Sequence, residues 1–159
     1  MAVNKAFSVA IGSDEAGYEL KELLKLYIDG LGYRLQDFGC YSTSPVLYPD
    51  IAVAVATAVS TGEHRLGVLV CGTGIGMAIS ANKIKGIRAA QAHDTYSAER
   101  ARKSNDAQVI SIGARVIGPE LAKSTVKIFL ESEFEAERSG SKVERIAAVE
   151  KANRELPEK

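Results

Sequence analysis

One short segment of the sequence combines a thiol, a hydroxyl and three glycines. In VLVCGTGIGMAIS, residues 68–80, Cys71 ends an apolar run, Thr73 follows it, and glycines occupy positions 72, 74 and 76. The apolar run predicts a buried strand and the residues from Met77 onward predict a helix, so the glycines form the turn between them. Unpaired N–H groups at the start of a helix bind anions and favour the thiolate form of a nearby cysteine. The segment therefore predicts a thiolate that acts as a base or nucleophile beside an anion-binding turn.

Each of these residues also has a purely structural explanation. A lone cysteine at a strand end is often a small core residue, and a threonine in this place is often a helix cap. Asp14, in the segment GSDEAG, could cap the helix that starts near Gly17 or bind a substrate hydroxyl. The glycine N–H groups beside the thiol favour the functional interpretation of Cys71, whereas both interpretations of Asp14 remain open.

A glycine-rich turn between a strand and a helix also occurs in dinucleotide-binding folds. Here the spacing is Gly-x-Gly-x-Gly, Met77 stands in place of the third glycine of that fingerprint, and the turn follows the third predicted strand. Asp94 does lie about 20 residues downstream, as the fingerprint requires. A non-catalytic module that binds phosphate or a dinucleotide is therefore an alternative function. A Walker A loop is excluded because no Gly-Lys-Ser/Thr follows the glycines.

The elements that must position these residues alternate along the chain. Segments with helical periodicity separate strand-like apolar runs, which cover residues 7–11, 33–38, 66–71, 87–92 and 109–112. This alternation predicts a single α/β domain over residues 1–159, with a parallel sheet and helices on both faces. Pro45 and Pro49 predict a loop over residues 44–50 before a helix that begins near Ile51, and a further helix is expected after Pro119.

Ligands of open parallel sheets bind beyond the carboxyl ends of the strands. Four polar segments follow predicted strands, namely residues 12–17, 71–76, 93–95 and 113–118. The sequence therefore predicts that separate parts of the chain meet in one site at this edge of the sheet.

Composition narrows the class of partner and the compartment. Lys and Arg together number 20, as do Asp and Glu, so no net charge attracts nucleic acid or an anionic membrane. The longest apolar runs are strand-sized, so we expect no transmembrane span, no signal peptide and a cytoplasmic location. Cys40 and Cys71 should remain thiols there. With His64 and His93 as the only histidines and no ligand cluster of metal-site spacing, we expect no metal.

The C-terminal part of the chain is strongly charged. The segment of about 134–159 carries only a thin apolar stripe, formed by Val143, Ile146, Ala147 and Val149. A solvated terminal helix would explain the charge, and an arm packed on a second subunit would explain the stripe.

With these residues assembled, the sequence resembles the ribose-5-phosphate isomerase B family, which includes the galactose-6-phosphate isomerase subunits. The resemblance covers nearly the whole chain and is carried by VAIGSDEAGYELK, YPD, GVLVCGTGIGMAISANKIKGIRAA, YSAERARKSNDAQVISIGARVIGPELA and FEAERSGSKVERI. It implies a Rossmann-like or flavodoxin-like α/β/α domain with a five-stranded parallel sheet. It also implies a homodimer or homotetramer with shared sites, and a metal-free, cofactor-free aldose–ketose isomerisation through an enediolate, ribose 5-phosphate to ribulose 5-phosphate in the B type.

The resemblance implies roles for individual residues. Cys71 is similar to the base that moves a proton between C1 and C2, and Thr73 with its neighbouring backbone matches the segment that stabilises the enediolate oxygen. Arg115 and Arg138 match phosphate-binding arginines, of which Arg138 would come from the other subunit. The expected catalytic residues are Cys71, Thr73, Ser104 and Glu15, and the expected substrate-binding residues are Asp14, Gly72, Gly74, Ile75, Gly76, His93, Asn105, Arg115, Arg138 and Lys142.

The sequence departs from the family pattern at positions that bear on the substrate. Glu15, Ser104 and Ser139 stand where the family commonly has histidine, and Lys142 stands where it has arginine. The histidine missing at Ser104 is the one assigned to opening the furanose ring, and a serine hydroxyl does not titrate near pH 7. Two substrates stay open: ribose 5-phosphate, with His93 or Glu15 opening the ring, and erythrulose 4-phosphate, which cannot close that ring. Hexose phosphates fit less well.

Overall fold

Parallel strands form the sheet at the centre of the computed structural model, which describes residues 7–157. The strands are β1 (Ser8–Ser13), β2 (Arg34–Asp37), β3 (Leu66–Cys71), β4 (Ala89–Gln91) and β5 (Val109–Gly113). Their order is β2-β1-β3-β5-β4, so the predicted five-stranded parallel sheet is confirmed. The last two strands are exchanged relative to the flavodoxin order, which places β4 at the edge.

Helices cover both faces of this sheet. Those in the described part of the chain are α1 (Tyr18–Gly30), α2 (Tyr48–Ser60), α3 (Ile75–Ala81), α4 (Thr95–Lys103), α5 (Pro119–Glu131) and α6 (Ala136–Arg154). Leu24 of α1, Ala98 of α4 and Phe129 of α5 belong to one buried cluster on the first face. Val55 of α2 and Met77 of α3 belong to a second cluster on the other face. β3 is therefore buried on both sides, which explains its unbroken apolar sequence.

Helix α2 begins earlier than the sequence predicts. The expected loop over residues 44–50 and the helix start near Ile51 are wrong for three residues, because Tyr48, Pro49 and Asp50 already belong to α2. Pro49 lies in the first helical turn, where no N–H is needed and the fixed φ of proline suits the helix. β1 also extends past the predicted end, through Ser13.

A buried ion pair supports the loop after β2. Lys21 Nζ has no exposed surface and donates to Asp37 Oδ1 at 2.7 Å and to the Cys40 carbonyl at 2.6 Å. Burial raises the pKa of Asp37, but hydrogen bonds from Lys21, Lys25 and the Gly39 amide outweigh it, and the net shift is downward. The loop is thereby fixed beside the end of β1.

Helix α6 extends away from the layered core. Ser139 is its only buried residue, and Ile146 and Val149 of the predicted apolar stripe are 43% and 46% exposed. Its distal end is tied to the loop between α3 and β4, where Glu150 accepts the N–H of Gly86 at 3.0 Å. The stripe is thus largely uncovered within one chain. No helix within residues 7–157 is both long and apolar enough to span a membrane.

Candidate active site

The carboxyl edge of the sheet brings together the segments that the sequence predicts there. Cys71 at the end of β3 pairs with Gly113 at the end of β5, and Val70 pairs with Ser13 at the end of β1. Backbone hydrogen bonds continue past these strand ends: Asp14 N–H donates to the Val70 carbonyl at 3.2 Å, and Ala114 N–H donates to the Cys71 carbonyl at 2.8 Å. The predicted convergence is confirmed.

The turn after β3 aims an N–H donor at the thiol. Cys71 is 5% exposed, and its Sγ accepts the N–H of Gly74 at 3.1 Å. Gly74 has a φ of +77°, and a Cβ there would lie 3.0 to 3.1 Å from backbone atoms of Ile112 and Ser111. Only glycine lets the turn fold back on the sulfur in this way. A donor in this position stabilises the negative charge that a thiolate base carries.

The carbonyls of Gly72 and Thr73 in this turn are held by residues of β4 or just after β5. The Gly72 carbonyl accepts the N–H of Arg115 at 3.0 Å, and the Thr73 carbonyl accepts Gln91 Nε2 at 2.8 Å. Because a trans peptide directs its N–H opposite to its carbonyl, the N–H groups of the turn point to the other side. Two of these N–H groups are already used, because Gly74 N–H donates to Cys71 Sγ at 3.1 Å and Ile75 N–H donates to Thr73 Oγ1 at 3.3 Å. The N–H groups of Gly72 and Thr73 and the hydroxyl of the exposed Thr73 remain as candidate donors for a developing oxyanion.

Two acidic residues follow β1 at the same edge. Asp14 is buried, and its Oδ1 accepts the N–H of Gly17, the residue that caps α1, at 2.9 Å. Burial raises the pKa of Asp14, and the negative charge of Glu15 adds to that effect, while Arg115 opposes it. Glu15 Oε2 accepts the N–H of Val46 at 3.2 Å, which ties the loop before α2 to this edge.

His93 and Arg115 complete this group. His93 Nε2 accepts the N–H of Gly113 at 2.8 Å, so this nitrogen carries no proton and its lone pair is occupied. Arg115 Nη1 lies 3.4 Å from the point that a Cβ on Gly72 would occupy, so the guanidinium covers that part of the turn. The arginine is placed to bind an anion held by the turn.

The other predicted site residues lie at the opposite end of the sheet, near the amino ends of the strands. α4 runs back from the carboxyl end of β4, so Ser104 and Asn105 follow its far end. The Glu135 N–H donates to the Lys103 carbonyl at 3.0 Å, which places Arg138 and Lys142 of α6 near that end. Val109, the first residue of β5, pairs with Gly67 of β3, four residues before Cys71. Four strand residues span about 13 Å, so the start of β5 lies about that far from Cys71. Within one chain these four residues do not meet the thiol.

Three residues to which the sequence assigns no role contact the site, and one of them, Tyr48, belongs to the YPD motif that carries the resemblance. The ring of Tyr48 lies 2.6 Å from where a Cβ on Gly76 would be, so it packs directly on the turn. Gln91 and Ser111 hold carbonyls of the turn. The only signal in the sequence is that each of these two polar residues interrupts an apolar strand.

Comparison with known proteins decides the family. The family model described as Ribose/Galactose Isomerase matches residues 9–146. The chain belongs to this family. The isomerase is 52% identical over 146 residues to a protein of Listeria innocua named ribose-5-P isomerase B, covering 92% of this chain and 99% of that protein. It is 53% identical over 147 residues to the D-erythrulose-4-phosphate isomerase of Pectobacterium atrosepticum, covering 90% and 95%.

A solved structure supports the same assignment. The ribose-5-phosphate isomerase B of Clostridium thermocellum superposes on the isomerase with a TM-score of 0.90 at 40% identity, covering 92% of this chain and 99% of that one. The dinucleotide-binding interpretation required Asp94 to bind the ligand. In the structure Asp94 instead caps α4 by accepting the N–H of Ser97 at 2.7 Å. Among residues 7–157, no three His, Cys, Asp or Glu side chains are grouped to hold a metal ion.

Proposed function

We propose that this isomerase interconverts the aldose and ketose forms of a small phosphorylated sugar, with Cys71 as the base. The thiolate removes a proton from the carbon beside the carbonyl and returns it to the adjacent carbon, while one proton moves between the two oxygens. The enediolate between these steps carries its charge on oxygen, where the N–H groups of Gly72 and Thr73 and the Thr73 hydroxyl can donate to it. We further propose that the enzyme works in the cytoplasm, where Cys40 and Cys71 would remain thiols.

The proposed site is completed by a second copy of the chain. The second half of the site lies at the amino ends of the strands, away from Cys71. It is formed by Ser104, Asn105, Arg138 and Lys142. Arg138 has 72% of its side chain exposed and only a 3.9 Å ion pair with Glu135, so it is free to bind a phosphate group. A homodimer in which each arm reaches the partner's turn would join the two halves.

An apolar surface beside the turn supports this assembly. Ile75 and Ile79 of α3 are 50% and 56% exposed, and Val53 of α2 is 38% exposed. Such a patch next to an incomplete site fits a subunit interface.

The substrate that the site supports best is a tetrose 4-phosphate, erythrulose 4-phosphate in exchange with erythrose 4-phosphate. The observation that carries this choice is Ser104, whose hydroxyl accepts Arg100 Nη1 at 3.5 Å where a ring-opening histidine would stand. The other candidates are engaged, because His93 Nε2 accepts the Gly113 N–H and Glu15 accepts the Val46 N–H. With phosphate on its C4 oxygen, a tetrose cannot form a furanose and needs no ring opening.

The deciding experiment compares kcat/KM on erythrulose 4-phosphate, ribose 5-phosphate and allose 6-phosphate. We expect the tetrose phosphate to give the highest value, and Cys71→Ala to lose at least about a hundredfold on it while remaining folded. A kcat/KM on ribose 5-phosphate equal to or above that on erythrulose 4-phosphate would overturn the tetrose phosphate as the proposed substrate. Full activity of Cys71→Ala would overturn the assignment of Cys71 as the base.

Ribose 5-phosphate is the second candidate. It is favoured by the relative named ribose-5-P isomerase B and by the second ring nitrogen of His93, Nδ1, for which the structure describes no hydrogen bond. If this sugar is the substrate, His93→Ala should abolish turnover of ribose 5-phosphate but not of erythrulose 4-phosphate.

A further inference from the structure

One peptide unit of the turn is held at both of its ends. The Thr73 carbonyl accepts Gln91 Nε2 at 2.8 Å, and the Gly74 N–H on the same peptide donates to Cys71 Sγ at 3.1 Å. The amide of Gln91 is therefore linked to the sulfur through a single planar group.

The next peptide unit repeats this arrangement with different partners. Ser111 Oγ donates to the Gly74 carbonyl at 2.7 Å, beside the Ala78 N–H at 3.2 Å, and the Ile75 N–H on that peptide donates to Thr73 Oγ1 at 3.3 Å. Ser111 has no exposed surface, so water does not replace it. Cys71 and Thr73, the two side chains proposed to act on substrate, thus each accept a backbone N–H. The carbonyl of the same peptide accepts a hydrogen bond from another polar side chain, Gln91 or Ser111.

We infer that Gln91 and Ser111 are positioning residues of the isomerase, Gln91 for Cys71 and Ser111 for Thr73. This inference rests on the proposed roles of Cys71 and Thr73. A donor on a peptide carbonyl fixes the peptide plane and polarises it, so the N–H at its other end becomes a stronger donor. Gln91 thereby strengthens the hydrogen bond that stabilises the thiolate. Ser111 orients the Thr73 hydroxyl by fixing the N–H that this hydroxyl accepts.

The two residues differ in what they contribute to folding, which makes them separable by experiment. Gln91 lies exposed on the edge strand β4, so losing its hydrogen bond costs little stability. Ser111 is buried in β5, so its loss also leaves part of the Gly74 carbonyl unsatisfied. A purely structural role for Gln91 would therefore leave no trace in the chemistry of Cys71.

The test for Gln91 is the pH dependence of Cys71 alkylation by iodoacetamide. Mass spectrometry of the peptide that contains Cys71 separates its reaction from that of Cys40. In Gln91→Met, which keeps the side-chain length but has no donor, we expect the pH at which Cys71 alkylation reaches half its maximal rate to increase. We also expect kcat to fall about threefold to tenfold with KM within about twofold of wild type.

A matched control is available in Gln108. Its Nε2 also donates to a backbone carbonyl, that of Gly86, at 2.8 Å, and its Oε1 accepts the Arg88 N–H at 2.8 Å. Both contacts lie away from the turn, so Gln108→Met removes at least as much hydrogen bonding as Gln91→Met. Gln108→Met should leave the alkylation midpoint of Cys71 at the wild-type pH. The same shift in both variants would overturn the inference for Gln91.

Ser111→Ala should give a different pattern. We expect kcat to fall and binding of a phosphorylated hydroxamate, a planar anion that mimics the enediolate, to weaken by a similar factor, while the alkylation midpoint stays unchanged. If Ser111→Ala does not fold, Ser111→Cys keeps a weak donor and should show the same pattern with a smaller loss. A Ser111 variant with unchanged hydroxamate binding overturns its assignment.

The failure of this inference differs from the failure of the proposed function. If Cys71→Ala retains full activity, the base assignment fails whatever the Gln91 variant does. If Cys71→Ala is inactive but Gln91→Met keeps the wild-type midpoint and kcat, only the positioning role is overturned.

Discussion

Ser104 and Cys71 lie at opposite ends of the parallel strands of one sheet, separated within a single chain by the length of β5 and α4. The residues proposed to act on one sugar are therefore divided into two groups that no rearrangement of a loop could join. A second copy of the chain can supply the missing group, since the arm that carries Arg138 begins beside Ser104.

Mixing two inactive variants tests this division. If the site is shared between two subunits, the Cys71→Ala and Arg138→Ala variants should each lose activity, but a hybrid dimer of the two contains one intact site. Random exchange at equal amounts should restore about one quarter of wild-type activity, because half of the dimers are hybrids and each has one of two sites intact. Activity is measured after exchange, with hybrid formation followed by native mass spectrometry. Hybrids that form without recovering activity would place both groups of residues in one chain.

Ser104→His tests the link between this position and ring opening. A titratable imidazole at the second half of the site should raise kcat/KM on ribose 5-phosphate by about tenfold or more. The value for erythrulose 4-phosphate should change by less than about threefold, because an open-chain sugar has no ring to open. Ser104→Ala is the control and should raise neither value. Equal gains on both sugars would contradict the assignment.

Asp14→Asn should stabilise the fold while lowering activity. The pKa of Asp14 is raised above its ordinary value of 3.8, mainly by burial, so the ionised form is disfavoured in the folded state. The stability that Asp14 contributes is greatest below the unfolded pKa and is lost as pH rises through the folded value. The variant should therefore have the higher Tm near pH 8, with a difference that shrinks toward pH 4. A variant less stable than wild type near pH 8 would contradict this account.

Asp37→Asn tests the buried ion pair. The change leaves Lys21 Nζ without the carboxylate at 2.7 Å, and we expect unfolding free energy to fall by about 3 kcal/mol in urea titrations at neutral pH. The contribution of Asp37 is present above its unfolded pKa and is lost as pH falls through its lowered folded value, so wild type and variant should converge in acid. Combining Asp37→Asn with Lys21→Met should recover much of the loss. A double variant no more stable than Asp37→Asn would argue against the pair.

The sequence predicts the half of the site that is local or follows from a simple rule. Cys71, Thr73 and the glycines are neighbours in the chain, and the parallel-sheet rule brings Asp14, His93 and Arg115 to them. The contacts of Gln91 and Ser111 could not be predicted in this way. They depend on the strand order β3-β5-β4, and periodicity does not determine which strands become neighbours.

The position of Ser104 and Asn105 was missed for a related reason. The resemblance assigns them to the same sugar as Cys71, but it does not say which edge of the sheet they occupy. That depends on α4 returning from the carboxyl end of β4. The early start of α2 at Tyr48 differs from the prediction because proline breaks a helix interior but is well tolerated in a first turn, where Pro49 lies.

The strand order also affects when the turn after β3 can gain its contacts during synthesis. β4 pairs only with β5, which is made after it, so Ala89–Gln91 has no neighbour in the sheet until residues 109–113 have left the ribosome. Four partners of the turn's carbonyls, namely Gln91, Ser111, Ala114 and Arg115, depend on that late strand. A nascent chain that ends before β5 can contain β1, β2 and β3 but lacks these four contacts. The turn therefore gains these four contacts only once residue 115, about three quarters of the way along the chain, has emerged from the ribosome.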